Sequence, residues 1–267
     1  MKNILLVIYI VGSAFLLTGC PTTKETKKEE RSTLPAPPKT VGPDITIRIA
    51  TINVAKLSRR IEKNDIDELG DMLKKGKIDI FTLQGVSRYP GVGTRVDIVD
   101  ELAVQTEMRQ VFGETISLSG KQNGNAILST YPIRSNENTH YAGLHSNNFD
   151  AALQAIIDLG VRDVVVISTG IPERASADDQ NTIANKLGAF SILYINDPLI
   201  ITGNLPASDM LREIEQFESL KTLNSAEAPR MWFTSGGGIK LIDQNTEKTP
   251  FGIMTVAMFG VFRQPQQ

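Results

Sequence analysis

The chain has 267 residues, with 28 Lys and Arg against 30 Asp and Glu, a formal net charge of −2 and a single cysteine. The basic residues are scattered rather than grouped, so composition argues against strong electrostatic capture of nucleic acid, which is not an expected partner. A single cysteine excludes a disulfide within the chain.

The first 19 residues predict a cleavable export signal. Lys2 supplies a positive charge, and an uncharged, mainly apolar run follows and ends at Leu17. A membrane-spanning helix needs about 20 apolar residues, so this run is too short to cross a bilayer. The sequence Leu17, Thr18, Gly19, Cys20 resembles the lipobox of bacterial lipoproteins, in which the cysteine is acylated and the chain is cut just before it.

The lipobox resemblance implies that residues 1–19 are removed and that lipid on Cys20 holds the exported protein on a membrane. Several acyl chains would hold it durably, since each buried CH₂ contributes ~0.8 kcal/mol. Pro21 replaces the Asp typical of lipoproteins retained at the inner membrane, which favours the outer membrane in a host that has one. Residues 20–43 contain several prolines and no aromatic residue, which predicts an unfolded tether with a reach of up to roughly 75 Å.

Residues 44–263, about 220 residues, are expected to form one domain, with 264–267 as a tail. Apolar periodicity and turn residues divide this domain into elements. The predicted strands are 45–54, 78–86, 115–119, 125–130, 133–141, 151–159, 163–169, 199–202 and 253–262, and the predicted helices are 66–75, 98–112, 177–190 and 208–222. This order predicts an α/β domain in which two sheets pack together with helices outside.

The order of short motifs resembles that of the endonuclease/exonuclease/phosphatase superfamily. The matching segments, in chain order, are TIN (51–53), LQGV (83–86), GNAILSTYPI (124–133), VVVISTG (164–170) and IITGNLP (200–206). The resemblance implies a four-layered α/β sandwich, with two packed, mainly antiparallel sheets flanked by helices.

The same resemblance indicates where the family's reactive residues would stand, and most of them are replaced. Family members hold Mg²⁺ with an Asn of the first strand and a Glu of the second; Asn53 remains, but Gly85 stands in place of the Glu. Gly170 replaces a His. Asn204 and Pro206 replace the Asp that activates water and the Asn that contacts the phosphate.

Residues 250–254 (PFGIM) contain neither the Asp nor the His that family members carry before the last strand. We therefore expect a membrane-anchored lipoprotein whose domain has lost catalysis, needs no cofactor and binds an unknown envelope protein or small ligand. The alternative is a divergent metal-dependent phosphoesterase or nuclease that uses Mg²⁺ and recruits Asp158, Asp209 or Asp243.

Three further features have structural interpretations. His140 and His145 are expected in a strand and a loop away from the catalytic strand ends, and two histidines alone do not form a zinc site. Residues 235–238 (SGGG) lack the Lys-Ser/Thr pair of a phosphate-binding loop and predict a flexible hairpin connection. Trp232 and Phe233 are expected in a core.

Overall fold

A computed structural model describes residues 42–55, 61–89, 97–141, 151–170, 175–204, 217–219, 229–234 and 237–263. The predicted signal, Cys20 and nearly all of the predicted tether lie outside these residues and remain predictions. Within the described ranges, no helix is long and apolar enough to span a bilayer.

The domain alternates strands with three described helices. The strands are β1 Ile45–Asn53, β2 Ile80–Arg88, β3 Arg109–Leu118, β4 Lys121–Ser129, β5 Ile133–His140, β6 Ala151–Asp158, β7 Asp163–Gly170, β8 Leu199–Asn204, β9 Phe217–Ser219, β10 Arg230–Thr234, β11 Ile239–Thr249 and β12 Gly252–Val261. The helices are α1 Lys63–Lys75, α2 Ile98–Thr106 and α3 Ala177–Leu193.

The strands form two six-stranded sheets, ordered β11-β12-β1-β2-β4-β3 and β5-β6-β7-β8-β10-β9. One pair in each sheet is parallel, β1 with β2 and β7 with β8, and the other described neighbours are antiparallel. Parallel neighbours need a crossover connection, and here α1 and α3 lie in those two crossovers. The carboxyl ends of the parallel strands therefore point to one end of each sheet.

Alternation along β1 shows how the layers are built. Ile47 and Ile49 enter the core between the two sheets, whereas Ala50 and Ile52 face the core beneath α1 and α2. A third core lies under α3 and contains Trp232, which is buried as predicted, and Phe233 is buried between the sheets. The layers are helices, sheet, sheet and helix, so the predicted four-layered α/β sandwich is confirmed.

Two predicted helices differ from the structure. The helix predicted over 98–112 ends at Thr106, because Glu107 takes a left-handed conformation (φ 58°) and the following residues pair with β4 as β3. In the helix predicted over 208–222, residues 217–219 instead form β9 against β10, and the rest lies outside the described residues.

Residues 235–238 do not connect a hairpin, and that prediction was wrong, because β10 and β11 belong to different sheets. Gly237 and Gly238, the described glycines of this segment, each lie too close to a neighbouring residue to carry a side chain. A Cβ built on Gly237 would lie 2.3 Å from the carbonyl oxygen of Asp197, and one on Gly238 would lie 2.2 Å from Nη1 of Arg162. Glycine is therefore required by packing.

Candidate functional site

The carboxyl ends of β1, β2, β7 and β8 lie at the same end of the sandwich. We name the four positions there, Asn53, Gly85, Gly170 and Asn204, the strand-end row. Gly170 pairs in register with Asn204. Gln84, whose neighbour in register is Asn53, connects the sheets. The structure thus groups the described positions that the motifs single out, while Pro206 lies outside the described residues.

The side chain of Asn53 is engaged by its own chain. Its Oδ1 accepts a hydrogen bond from the N–H of Ala55 at 2.9 Å, which closes a short turn after β1. The N–H of Val54 donates to the carbonyl of Gln84 at 2.9 Å and fixes this turn against β2. The amide oxygen that the family resemblance offers to a metal is therefore held toward the backbone.

The backbone at Gly85 leaves no room for a side chain. Gly85 has a φ of +67° and lies in an irregularity of the β2–β4 pairing between Leu83 and Val86. A Cβ built there would lie 2.4 Å from Cβ and 2.8 Å from Cα of Ala55. A glutamate at this position would require both the turn after β1 and the local backbone to move.

A buried, uncharged hydrogen-bond network closes the space between the sheets beneath the row. Gln84 Nε2 donates to Ser168 Oγ at 3.0 Å and to Thr51 Oγ1 at 3.1 Å. The hydroxyl oxygens of Thr82 and Thr202 lie 2.8 Å apart and form a hydrogen bond between the two sheets. All five side chains are buried, so each polar group needs such a partner.

A second network starts from the amino end of β6. The carbonyl of Ala151 accepts from Asn125 Nδ2 at 2.9 Å and from Thr169 Oγ1 at 3.1 Å. The hydroxyl groups of Tyr141 and Thr169 lie 2.6 Å apart. Asn125 also comes within 3.4 Å of the N–H of Gly85 through Oδ1, so this residue of the GNAILSTYPI segment connects both sheets to the row.

The acidic side chains proposed for a divergent hydrolase lie elsewhere. Asp158 ends β6, about 23 Å along the strand from Ala151 at the row, and pairs with Arg134 at 2.8 Å. Hydrogen bonds from the N–H of Gly160 and from Arg134 hold the pKa of Asp158 below its ordinary value. Asp209 lies outside the described residues.

Asp243 is also remote from the row. It is in register with Met258, which pairs in turn with Arg48 of β1, about 16 Å along that strand from Asn53. Phe251, in the segment where the family carries Asp and His, is buried in the core beneath α1 and α2. In the part of the chain that the structure describes, no three His, Cys, Asp or Glu side chains form a group able to hold a metal.

His140 lies nearer the row than expected. It ends β5, is exposed and pairs in register with Ala151, which places it on the edge strand two strands from Gly170. Its Nε2 lies 3.4 Å from Nδ2 of Asn138. His145 lies outside the described residues.

The described residues do not fit the Mg²⁺ that the family resemblance implies. Mg²⁺ prefers oxygen ligands in near-octahedral geometry and is commonly held by one or two carboxylates. At the row, Asn53 directs Oδ1 to the Ala55 N–H and Gly85 has no space for a carboxylate.

The motifs predict the positions of the row, but the network beneath it was not predicted. The detectable signal is a polar residue that interrupts or follows the apolar run of each of four strands: Thr51 in β1, Gln84 in β2, Ser168 in β7 and Thr202 in β8. Polar residues buried at matching positions of neighbouring strands can satisfy one another.

The layers, the strand order and the row together define a domain with the endonuclease/exonuclease/phosphatase fold. An endonuclease/exonuclease/phosphatase from Beutenbergia cavernae has a TM-score of 0.64 at 16% identity, covering 81% of this chain and 72% of that one. A family protein from Bacteroides thetaiotaomicron has a TM-score of 0.62 at 10% identity, covering 84% of this chain and 100% of that one.

The human Nocturnin catalytic domain, solved with bound sulfate, is also similar, with a TM-score of 0.60 at 13% identity, covering 83% of this chain and 96% of that one. No family model and no curated protein matches the sequence. At these identities the likeness shows the fold alone.

Proposed function

We propose that the mature protein is a lipid-anchored envelope lipoprotein whose domain has lost hydrolysis and serves in binding or interaction. The observation that carries the proposal is the contact of Gly85 with Ala55. A Cβ at residue 85 would lie 2.4 Å from Cβ of Ala55, so the position of the family's metal-binding glutamate is filled by the chain itself.

The chemistry of the remaining row supports the proposal. Removal of one positioned general base lowers a rate by ~10² to 10⁴, and metal ligand, base and phosphate contact are all replaced here. The side chains beneath the row are hydroxyls and amides whose hydrogen bonds are satisfied within the protein. They neither take up nor release protons near neutral pH.

The row is suited to a different kind of ligand. Gly85 and Gly170 add no side chain and no charge to the row, and the partly exposed Asn204 provides a neutral amide. A row without charged groups favours an uncharged small ligand or a loop of an envelope protein. Lipid on Cys20 would keep this domain near partners at the same membrane.

The competing function is a divergent metal-dependent phosphoesterase or nuclease. The distances of Asp158 and Asp243 from the row count against it, which leaves Asp209 as its remaining acid. Binding of Mg²⁺ or Mn²⁺ by the folded protein raises the melting temperature, since a ligand of the native state stabilises it. We expect neither ion to raise it by more than about 1 °C at millimolar concentration.

The loss of hydrolysis and the lipid anchor are each tested by experiment. A metal-dependent rise in melting temperature that disappears in Asn53→Ala would favour the competing function, particularly if phosphoester turnover accompanies it. Anchoring is tested separately by mass spectrometry of the amino-terminal peptide and by membrane fractionation of Cys20→Ser. Unmodified Cys20, or membrane association that survives Cys20→Ser, would contradict the anchor.

A further inference from the structure

The end of the sandwich opposite the strand-end row carries a group of exposed apolar side chains. Ile192, Leu193 and Ile195 expose 72%, 68% and 50% of their surface. They belong to the last turn of α3 and the turn that follows, and we name them the α3 tip. Grouped rather than isolated apolar exposure indicates an interaction surface.

The chain enters the domain beside the α3 tip. The N–H of Asp44 donates to the carbonyl of Val261, and Phe262 follows. Arg162 donates through Nη1 to the carbonyl of Phe262 at 3.2 Å and through Nη2 to the carbonyl of Asn196 at 2.6 Å. A single, largely buried guanidinium therefore joins the entry point of the chain to the α3 tip.

The entry point and the strand-end row lie far apart. β1 runs for nine residues from Ile45, beside the entry point, to Asn53 in the row. Eight steps of a strand span about 26 Å, which is most of the height of the sandwich. A tether that leaves from Asp44 is thus attached at the end that carries the α3 tip.

We propose that the α3 tip is the surface by which the domain docks on the lipid bilayer, with the strand-end row facing away from the membrane. This inference rests on the proposed anchoring through Cys20. The bilayer is the expected occupant, because the lipidated tether keeps it at high effective concentration beside the entry point. Apolar side chains at such a surface insert into the boundary between lipid headgroups and acyl chains.

The charges beside the α3 tip indicate whether docking requires anionic lipid. Arg162, which donates to the carbonyl of Asn196 beside the tip, faces the carboxylate of Asp197 at 3.7 Å. This guanidinium is thus accompanied by a carboxylate. Docking through the apolar side chains is therefore expected on neutral phosphatidylcholine, without anionic lipid.

Collisional quenching of a fluorescent label measures the docking. The full mature chain, acylated at Cys20, is placed on vesicles whose phosphatidylcholine carries brominated acyl chains. One label is attached at Ala189→Cys, which is exposed one turn before Leu193, and a matched label at Lys248→Cys, which is exposed at the opposite end of the domain. We expect quenching at residue 189 to be at least about threefold stronger than at residue 248.

Substitutions then identify the surface. Ile192→Ser with Leu193→Ser should lower quenching at residue 189 to the level at residue 248, while flotation with the vesicles is unchanged. Val104→Ser, on an 80% exposed residue of α2, is the control and should leave quenching unchanged.

The outcomes separate the docking from the anchoring. Flotation with equal quenching at the two labels would overturn the docking and leave the anchor intact. Failure to float would overturn the anchor and the docking together. Quenching at residue 189 that falls toward the level at residue 248 as protein density on the vesicle rises would indicate a second copy as the occupant and would also overturn the docking.

Discussion

Ala55 fills the space into which a side chain at Gly85 would project. The two residues are thirty positions apart in the chain, and the turn after β1 brings them together over the end of β2. The carboxylate that the family resemblance implies at residue 85 is therefore missing from the sequence, and the fold leaves no space for it. Restoring a carboxylate at residue 85 would require a different path of the backbone.

Gly85→Ala should lower the free energy of unfolding by about 2 to 4 kcal/mol, measured by urea denaturation. Part of this loss comes from the left-handed φ of +67°, and part from the overlap with Ala55. Gly160→Ala is the matched control, because Gly160 has a φ of +79° and nothing within 4 Å of its built Cβ. The control should lose only about 1 kcal/mol.

Ala55→Gly should recover about 1 kcal/mol of the loss in the Gly85→Ala background, since it removes the nearest of the overlapping atoms. A double-mutant cycle measures this coupling. Equal losses in Gly85→Ala and Gly160→Ala, with no coupling to residue 55, would show that the space beside Gly85 is open.

The hydroxyl pair of Thr82 and Thr202 should behave as a coupled unit. Thr202 donates to the carbonyl of Ile167, so its oxygen must accept the proton of Thr82. Thr82→Val and Thr202→Val should each cost about 1 to 3 kcal/mol, because each leaves a buried polar partner unsatisfied. The double variant should lose about 1 kcal/mol less than the sum.

Thr46→Val is the control for that cycle, because Thr46 is exposed on β1. Its free energy of unfolding should stay within about 0.5 kcal/mol of the wild type. Strict additivity at Thr82 and Thr202 would contradict the hydrogen bond between them.

Burial raises the pKa of the Asp79 carboxyl above its ordinary value of 3.8, and the hydrogen bond from the N–H of Arg48 opposes this effect in part. A carboxyl with a raised pKa binds more protons in the folded state. The stabilisation that the protonated carboxyl gives the folded protein is fully present below the unfolded-state pKa and is lost as pH rises through the folded-state pKa. The free energy of unfolding of the wild type, relative to that of Asp79→Asn, should therefore fall as pH rises from about 3 to 7. A difference that increases with pH would contradict the raised pKa.

The motifs and periodicity predicted the fold because several strands have a clear pattern, such as the alternation over residues 45–49 of β1 and the apolar run of β7. The polar strand β11 escaped detection, since Ile242 and Asp243 are both exposed on an edge of the sheet. The end of α2 was missed because apolar residues continue through Phe112 into β3. Such boundaries depend on pairing with distant strands.

The candidate site was predictable as a set of positions but not as a geometry. The motifs place Asn53 and Gly85 near each other, because parallel neighbouring strands end at the same edge. That Asn53 bonds to Ala55, and that Ala55 then covers Gly85, depends on one left-handed residue and one turn. Neither has a local sequence signature beyond glycine itself.

Phosphoester turnover tests the central claim most directly. The purified full mature chain is incubated with Mg²⁺ or Mn²⁺ and a panel of phosphodiesters and phosphomonoesters, beside a matched Asn53→Ala, Asn204→Ala variant. We expect wild type and variant to give the same background rate on every substrate. Metal-dependent turnover by the wild type that the variant loses would contradict the account.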